Sequence, residues 1–287
     1  MVLSRVRRTL AMAGAILVFL VLAGATYQGV ATALERRKFR HPGRMVDAVG
    51  HQLHISCSGE GSPTVVLEAG AAGMSAAWGW VQPRIATATR VCSYDRAGLG
   101  WSETGDISYD PAAVAPALNA LLNHAGEHPP FVLAGQGLGA ALSTLYASRF
   151  ADQVAALVLI DPPADVPRQA AANSTRLVNA SPWLARAGVL RATRIMSSHA
   201  AGLPAPVAGV MSTFLTRPDH LTRAATELSS WDATVALAKA APLREGLTVI
   251  RVEAAGPDKL AFLTDRADAA MAEAAVLDAV ARIRNGH

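Results

Sequence analysis

A glycine-rich turn at a strand-to-helix junction constrains the fold of this chain more than any other sequence feature. Residues 131–134 have the apolar composition of a buried strand, residues 138–149 favour a helix, and residues 135–139 between them read Gly-Gln-Gly-Leu-Gly. Glycine tolerates the strained backbone that such a tight turn requires, and the outer glycines keep side chains out of the turn. The spacing therefore predicts a strand-turn-helix unit of the kind that builds parallel sheets.

Strands and helices alternate along most of the chain, which predicts a mostly parallel sheet covered by helices on both faces. An antiparallel hairpin is predicted at 45–49 and 53–57, strands at 64–68, 90–94, 131–134, 156–160 and 247–252, and helices at 76–86, 111–125, 138–149 and 259–284. Between residues 162 and 242 the pattern is helical throughout. We expect this insertion to form a cap over the carboxyl ends of the strands, where α/β proteins bind ligands.

The N-terminal segment is predicted to be a single-pass membrane anchor. Residues 10–26 form an uncharged apolar run of 17 residues with basic clusters on both sides. About 17–25 apolar residues suffice to cross a bilayer. A cleaved signal peptide is the alternative, because residues 23–25 read Ala-Gly-Ala, the form of a processing site. We expect the amino terminus inside and the folded domain outside the cytoplasm.

These patterns divide the chain into four parts. Residues 1–44 form the anchor and its basic flank, 45–162 the core, 163–242 the cap, and 243–287 the end of the core. The net charge of +4 belongs to the flank, since residues 1–44 hold eight Lys or Arg and one Glu, which leaves −3 for the rest. A basic flank suits anionic lipid headgroups. The charge therefore gives no reason to expect nucleic-acid binding.

The two cysteines, Cys57 and Cys92, fall in different predicted strands and lack metal-ligand spacing. No metal and no cofactor are expected. Outside the cytoplasm the two thiols could form a disulfide, because oxidising compartments permit it. Two buried free thiols are the alternative.

Several blocks of sequence, in this order, resemble the α/β-hydrolase superfamily and in particular its bacterial membrane-anchored hydrolases. They are Tyr-Gln-Gly-Val-Ala-Thr-Ala at 27–33, Gly-Glu-Gly-Ser-Pro-Thr-Val-Val-Leu-Glu-Ala-Gly at 59–70, Tyr-Asp-Arg-Ala-Gly-Leu-Gly-Trp-Ser at 94–102, and the glycine turn at 135–139. The resemblance covers residues 27 to about 163 closely and the later segments loosely. It implies a three-layer α/β-hydrolase fold with a helical cap.

The resemblance also assigns candidate site residues. In this family a serine at the centre of the turn attacks an acyl carbon, and two backbone amides hold the oxyanion. The serine position is Gly137 in this chain, and the amides are those of Leu138 and Ala71. The acid that orients the catalytic histidine corresponds to Asp258, with Asp161 as the alternative position.

Two departures from the family pattern are predicted to remove catalysis. Gly137 offers no attacking atom. The family's histidine follows a further strand, whereas this chain finishes at His287, so the last strand is expected to be missing and residues 247–252 to form a free sheet edge. Of the other histidines, only His199 and His220 lie in the predicted cap, where they could overhang the crevice.

Other polar residues near the motifs are interpreted as structural. Asp95, Arg96 and Gly100 are expected to shape the loop after the fourth strand, and Ser143 faces away from the turn on helical geometry.

The sequence thus predicts a membrane-anchored descendant of serine hydrolases, acting ancestrally on small apolar or ester-like substrates, whose catalysis is lost or much reduced. One alternative is a non-catalytic scaffold that binds a ligand, or a protein partner at the free sheet edge. Another is an active hydrolase with an unrecognised nucleophile.

Overall fold

The computed structural model describes residues 2–105, 109–163, 172–253 and 263–286. Its first element is helix α1 (Val2–Lys38), which is long and apolar enough, by length and composition, to cross a membrane. Its 37 residues extend over about 55 Å at a rise of 1.5 Å per residue, whereas the hydrocarbon core of a bilayer is about 30 Å thick. α1 therefore continues well beyond the apolar run at residues 10–26.

Seven strands form one sheet in the order β1-β2-β4-β3-β5-β6-β7. They are β1 (Arg44–Ala48), β2 (His51–Ser58), β3 (Thr64–Glu68), β4 (Val91–Tyr94), β5 (Phe131–Gln136), β6 (Val154–Ile160) and β7 (Thr248–Val252). The β1–β2 and β2–β4 pairs are antiparallel, and the other four pairs are parallel. The predicted hairpin and mostly parallel sheet are confirmed. Within the described residues, β7 pairs only with β6 and lies at the sheet edge.

Helices cover both faces of the sheet, which confirms the three-layer architecture. α3 (Pro111–His124) and α4 (Leu138–Arg149) pack on one face, and α2 (Gln82–Ile85) and α10 (Arg266–Arg284) on the other. Successive strand side chains point to opposite faces. Hence Val65 and Leu67 of β3 pack towards α10, while Val66 packs towards α3 and α4.

In the part of the chain that the structure describes, five α-helices lie between β6 and β7 and form the cap: α5 (Ala172–Arg186), α6 (Val189–Thr193), α7 (Ala205–Phe214), α8 (Pro218–Ser229) and α9 (Trp231–Ala240). The described residues of this segment contain no strand, as expected. Phe214 of α7 is fully buried in a cluster with Met74, which lies in the loop after β3. The cap is thus packed onto the carboxyl ends of the strands.

Two predicted helices differ from the structure. In place of a helix at 76–86 there is a short 3-10 turn (Ser75–Trp78) followed by the four-residue α2, because Gly79 ends the first and approaches Val207 of the cap. The last helix begins at Arg266 and not at 259, because the Asp265 side chain accepts hydrogen bonds from the first free backbone amides and caps it there.

The cysteine alternatives are resolved in favour of a disulfide. Cys57 of β2 and Cys92 of β4 are directly opposite one another in the antiparallel ladder and are bonded. The bond joins the hairpin to the parallel part of the sheet.

Candidate active site

The β5–α4 junction has the geometry of a nucleophile elbow. Gly137 has φ 55° and ψ −120°, a conformation that is strained for residues with a side chain. A Cβ on Gly135 would lie 2.3 Å from the Gly139 carbonyl oxygen, and a Cβ on Gly139 would lie 2.3 Å from that of Glu68. A Cβ on Gly137 would meet nothing within 4 Å. The outer glycines are therefore required for packing, whereas the central position has room for a side chain.

The two candidate oxyanion amides lie on adjoining segments. The turn after β3 contacts the elbow, since a Cβ on Gly70 would lie 2.1 Å from the Gln136 side-chain oxygen. Ala71 follows in that turn, and Leu138 begins α4 directly after the elbow. Among the backbone hydrogen bonds of the described residues, neither amide donates to a carbonyl. The two candidate amides therefore lie on segments that adjoin at the elbow, and their role as oxyanion donors stays a prediction.

A buried arginine holds the turn after β3 in place. Arg96 donates from Nη1 to the Ala69 carbonyl (2.7 Å) and from Nη2 to the Gly70 carbonyl (2.8 Å). The same guanidinium forms ion pairs with Glu68 (2.6 Å) and, through two bonds of 2.7 and 2.8 Å, with Glu227 of cap helix α8. All five N–H donors of Arg96 are therefore engaged.

The cap carboxylate of this cluster also contacts the turn directly. Glu227 accepts a hydrogen bond from the amide of Ala72 (3.2 Å). Burial raises the pKa of Glu68, although its pairing with Arg96 and the hydroxyl of Tyr94 opposes the rise. Burial opposes the charge on Arg96, but the two carboxylates raise its pKa well above the usual value. The cluster is a dry ion network that fixes the backbone on both sides of Ala71.

Of the two candidate acids, the structure describes Asp161 but not Asp258. Asp161 is buried, follows β6 directly, and its amide donates to the Val252 carbonyl of β7. It lies beside the elbow, because the Gly137 amide donates to the Ile160 carbonyl (2.9 Å). Asp258 lies outside the described residues. Of the two, Asp161 is thus the one that the structure places near the candidate nucleophile position.

The cap histidines do not supply a free base. His220 of α8 is buried, its Nδ1 accepts from the Gly100 amide (3.1 Å), and its Nε2 lies 3.1 Å from the Ala72 carbonyl, to which it donates. Both ring nitrogens are therefore occupied, and burial lowers the pKa of His220. His199 is exposed. His220 therefore supports the turn after β3 as a neutral side chain.

One histidine–carboxylate pair was missed by sequence reasoning. Nδ1 of His54 lies 3.0 Å from Oδ2 of Asp95, both side chains are fully buried, and Nε2 of His54 has no hydrogen-bond partner among the described residues. Asp95 also accepts from the amides of Ser75 and Trp101. Burial opposes ionisation of Asp95, but these bonds lower its pKa. The only sequence signal was a polar residue inside a buried strand.

This pair lacks the arrangement that activates a serine. The hydroxyl of Ser75 lies 3.4 Å from Nδ1 of His54, the nitrogen that already faces Asp95, and not from Nε2. In a triad the nucleophile and the acid use opposite ring nitrogens. Asp95 instead shapes the loop after β4, as a Cβ on Gly100 would lie 2.2 Å from its carboxylate.

A cavity of about 460 Å³ borders the Arg96–Glu227 ion pair. Tyr109 and residues of α3 also line it, whereas Gly137 and Ala71 are not among its lining residues. Side chains that could hold a metal come together at Cys57, Cys92 and Glu127 in the described residues, but the sulfurs are bonded to each other and Glu127 pairs with Arg90.

Comparison with known proteins agrees with this geometry. Residues 63–197 match the family described as the alpha/beta hydrolase fold. The chain is 32% identical over 121 residues to the 2-hydroxy-6-oxo-2,4-heptadienoate hydrolase of Pseudomonas putida, which covers 41% of this chain and 44% of the relative. It is 33% identical over 81 residues to an uncharacterized protein of Schizosaccharomyces pombe, covering 28% of this chain and 15% of the relative.

The comparison with solved structures covers more of this chain than the sequence matches do. A thermophilic esterase from Thermogutta terrifontis superposes with a TM-score of 0.59 at 18% identity, covering 83% of this chain and 98% of the esterase. The chain spans less than half the length of the curated relatives it matches. With the elbow, the sheet order and the cap, these findings show that the chain has the α/β-hydrolase fold.

Proposed function

We propose that this protein is a degenerate serine hydrolase that binds a small apolar or ester-like ligand between core and cap and turns it over slowly or not at all. The observation that carries this proposal is Gly137. The backbone there has the strained conformation of the elbow, its neighbours Gly135 and Gly139 have no room for a side chain, and the attacking hydroxyl is replaced by hydrogen. Loss of the nucleophile from such a triad lowers turnover by about a millionfold.

The rest of the acyl site supports ligand binding. The amides of Leu138 and Ala71 are backbone groups, so replacing the serine leaves them in place, and Arg96 and Glu227 fix the turn that carries Ala71. An intact oxyanion site alone can retain a roughly thousandfold acceleration over water. One of the relatives is named as a 2-hydroxy-6-oxo-2,4-heptadienoate hydrolase, which supports a small-molecule ligand for this chain.

We further propose that α1 anchors the protein in a membrane with the domain on the extracytoplasmic side. The length and composition of α1 support the anchor. The disulfide between Cys57 and Cys92 supports an oxidising compartment.

The experiment compares the unmodified chain with Gly137→Ser and Gly137→Ala, with and without added imidazole, in hydrolysis of p-nitrophenyl butyrate. Serine and alanine add the same Cβ, so alanine controls for backbone strain, and imidazole supplies a general base from solution. After subtraction of the rate that imidazole alone gives in buffer, we expect imidazole-dependent ester hydrolysis only in Gly137→Ser. We also expect calorimetric binding of butyrate-like ligands to the unmodified chain.

Two results would contradict the proposal. Fast hydrolysis or fluorophosphonate labelling of the unmodified chain would favour an active enzyme with a different nucleophile. Absence of ligand binding, with capture of a protein on the β7 edge, would favour a scaffold. The second candidate has its own support, because β7 pairs on one side only in the described structure and Val249 is 38% exposed.

A further inference from the structure

Helix α1 and the cap are in direct contact within the apolar run of the helix. A Cβ on Gly24 would lie 2.0 Å from the Ala187 carbonyl oxygen, and a Cβ on Gly188 would lie 2.6 Å from that of Gly24. The two backbones therefore touch, and only glycine permits this approach. The α5–α6 turn is fixed at the level of residue 24 of α1.

Polar contacts extend this docking along the next turns of α1. The Gln28 amide donates to the Thr216 carbonyl (2.9 Å), and Arg191 donates from Nε to the Gln28 side-chain oxygen (2.8 Å). Arg191 also forms an ion pair with Glu35. The cap thus lies along α1 from residue 24 to residue 35, so its height relative to the bilayer is set by the helix.

The height of the α5–α6 turn follows from the length of a membrane span. A span needs about 20 residues, which from Leu10 extends to about residue 29. Gly24 is then roughly 8 Å inside the edge of the hydrocarbon core, at a rise of 1.5 Å per residue. The part of the cap that touches Gly24 must therefore reach into the bilayer interface.

The side chains around the α5–α6 turn suit that environment. Trp183 is 71% exposed, Val189 41% and Ile195 62%, and these three residues form what we name the cap patch. Trp183 lies one helical turn before Ala187, whose amide donates to the Trp183 carbonyl (3.0 Å). α1 itself continues the apolar surface past residue 26 through Tyr27, Val30 and Leu34, which are all more than half exposed. Tryptophan and tyrosine are enriched at membrane interfaces.

The charge of this part of the cap is of one sign. Residues 166–218 contain six arginines and neither aspartate nor glutamate. Arg186 and Arg194, which lie between members of the cap patch in sequence, are both exposed, and the Arg186 guanidinium lies over the Trp183 ring. Clustered arginines beside exposed apolar side chains favour an anionic lipid surface.

We propose that the cap patch lies at the boundary between the headgroups and the acyl chains of the bilayer that α1 crosses and binds anionic phospholipid there. The protein is then held against the membrane at two points, α1 and the cap, and the cap is not free to rotate above the surface. This inference rests on the proposed membrane span.

The test uses the full chain in nanodiscs, with an environment-sensitive fluorophore on Trp183→Cys. The native cysteines are bonded, so the label reacts at the introduced thiol. Met271→Cys is the control, because Met271 is 37% exposed on core helix α10. A side chain 5–10 Å into the boundary contacts a shallow doxyl-lipid quencher, so we expect at least about twofold quenching at position 183 and little at position 271.

The dependence of quenching on lipid composition tests whether the arginines beside the cap patch bind anionic headgroups. With phosphatidylglycerol in the disc we expect strong quenching at position 183, and weaker quenching in phosphatidylcholine alone or after Arg186→Gln with Arg194→Gln. Resistance to alkaline extraction tests separately whether α1 spans the membrane. If the chain resists extraction and position 183 is quenched no more than position 271, the cap inference is wrong while the anchor stands. If alkali extracts the chain, the anchor fails, and the inference fails with it.

Discussion

Replacing Arg96 by methionine removes the only cation paired with the buried carboxylates Glu68 and Glu227 in the described structure. Five hydrogen bonds are lost, and each carboxylate keeps one donor, the Tyr94 hydroxyl for Glu68 and the Ala72 amide for Glu227. Removing one member of a buried ion pair costs about 3–5 kcal/mol, and here one cation serves two anions. We therefore expect the free energy of unfolding of Arg96→Met to fall by about 5 kcal/mol at neutral pH.

The size of the loss depends on pH in a defined direction. Burial already raises the pKa of Glu68, and the loss of Arg96, which opposes that rise, raises it further above its unfolded value. The penalty is then complete well above that raised value and disappears as the pH falls towards the unfolded value of about 4.3, where both states are protonated. The stability gap between Arg96→Met and the unmodified chain should narrow from pH 7 to pH 5.

Urea unfolding in detergent micelles, followed by tryptophan fluorescence, measures these differences. Because about 5 kcal/mol can exceed the whole stability of a domain, Glu227→Gln, which keeps the Arg96–Glu68 pair, provides a milder variant with an expected loss of about 3 kcal/mol. The double variant Arg96→Met with Glu227→Met should regain about 2 kcal/mol over Arg96→Met. A loss below about 1 kcal/mol in Arg96→Met at pH 7 would be typical of solvated surface pairs and would refute the dry network.

Three further predictions concern single features. Burial lowers the pKa of His220, so as the pH falls the unfolded state takes up this proton before the folded state does. The free energy of unfolding should therefore fall below about pH 6.5 by up to about 1.4 kcal/mol per pH unit. His220→Gln should remove this slope in urea titrations. Replacing Cys57 and Cys92 together by alanine should cost about 3–4 kcal/mol for a loop closed across 35 residues, and reduction of the unmodified chain should cost the same. Gly139→Ala should lower the melting temperature far more than Gly137→Ala, because only the first places a Cβ 2.3 Å from a carbonyl oxygen; equal shifts in calorimetry would contradict the elbow geometry.

The features that sequence reasoning predicted well are local. The strand-turn-helix unit at 131–149 depends on neighbouring residues, so its apolar run and glycine spacing were sufficient to predict the elbow. The helix α3 was likewise predictable from Asp110, whose side chain accepts from the Ala112 amide, and from Gly126, whose positive φ suits a helix stop. The prediction of a helix at 76–86 was wrong, because the interruption at Gly79 involves a contact with Val207, which is far away in the chain.

The interactions that hold the candidate site together are long-range and were not predictable. Arg96 and Glu227 are 131 residues apart, and the cap sequence gave no reason to choose Glu227 over its other acids. His220 is 148 residues from the Ala72 carbonyl that it contacts. His54 had the same difficulty, because a single histidine in a strand does not reveal that Asp95 faces it. Motifs located the elbow, but only the fold showed what surrounds it.

Helix α8 supplies both Glu227 and His220, and both contact Ala72. The cap therefore does not behave as an independent lid: a hinge motion of α8 would displace the amide and the carbonyl of the same residue. Substitutions at Glu227 or His220 would therefore release the turn after β3 that carries Ala71, although both residues belong to the cap.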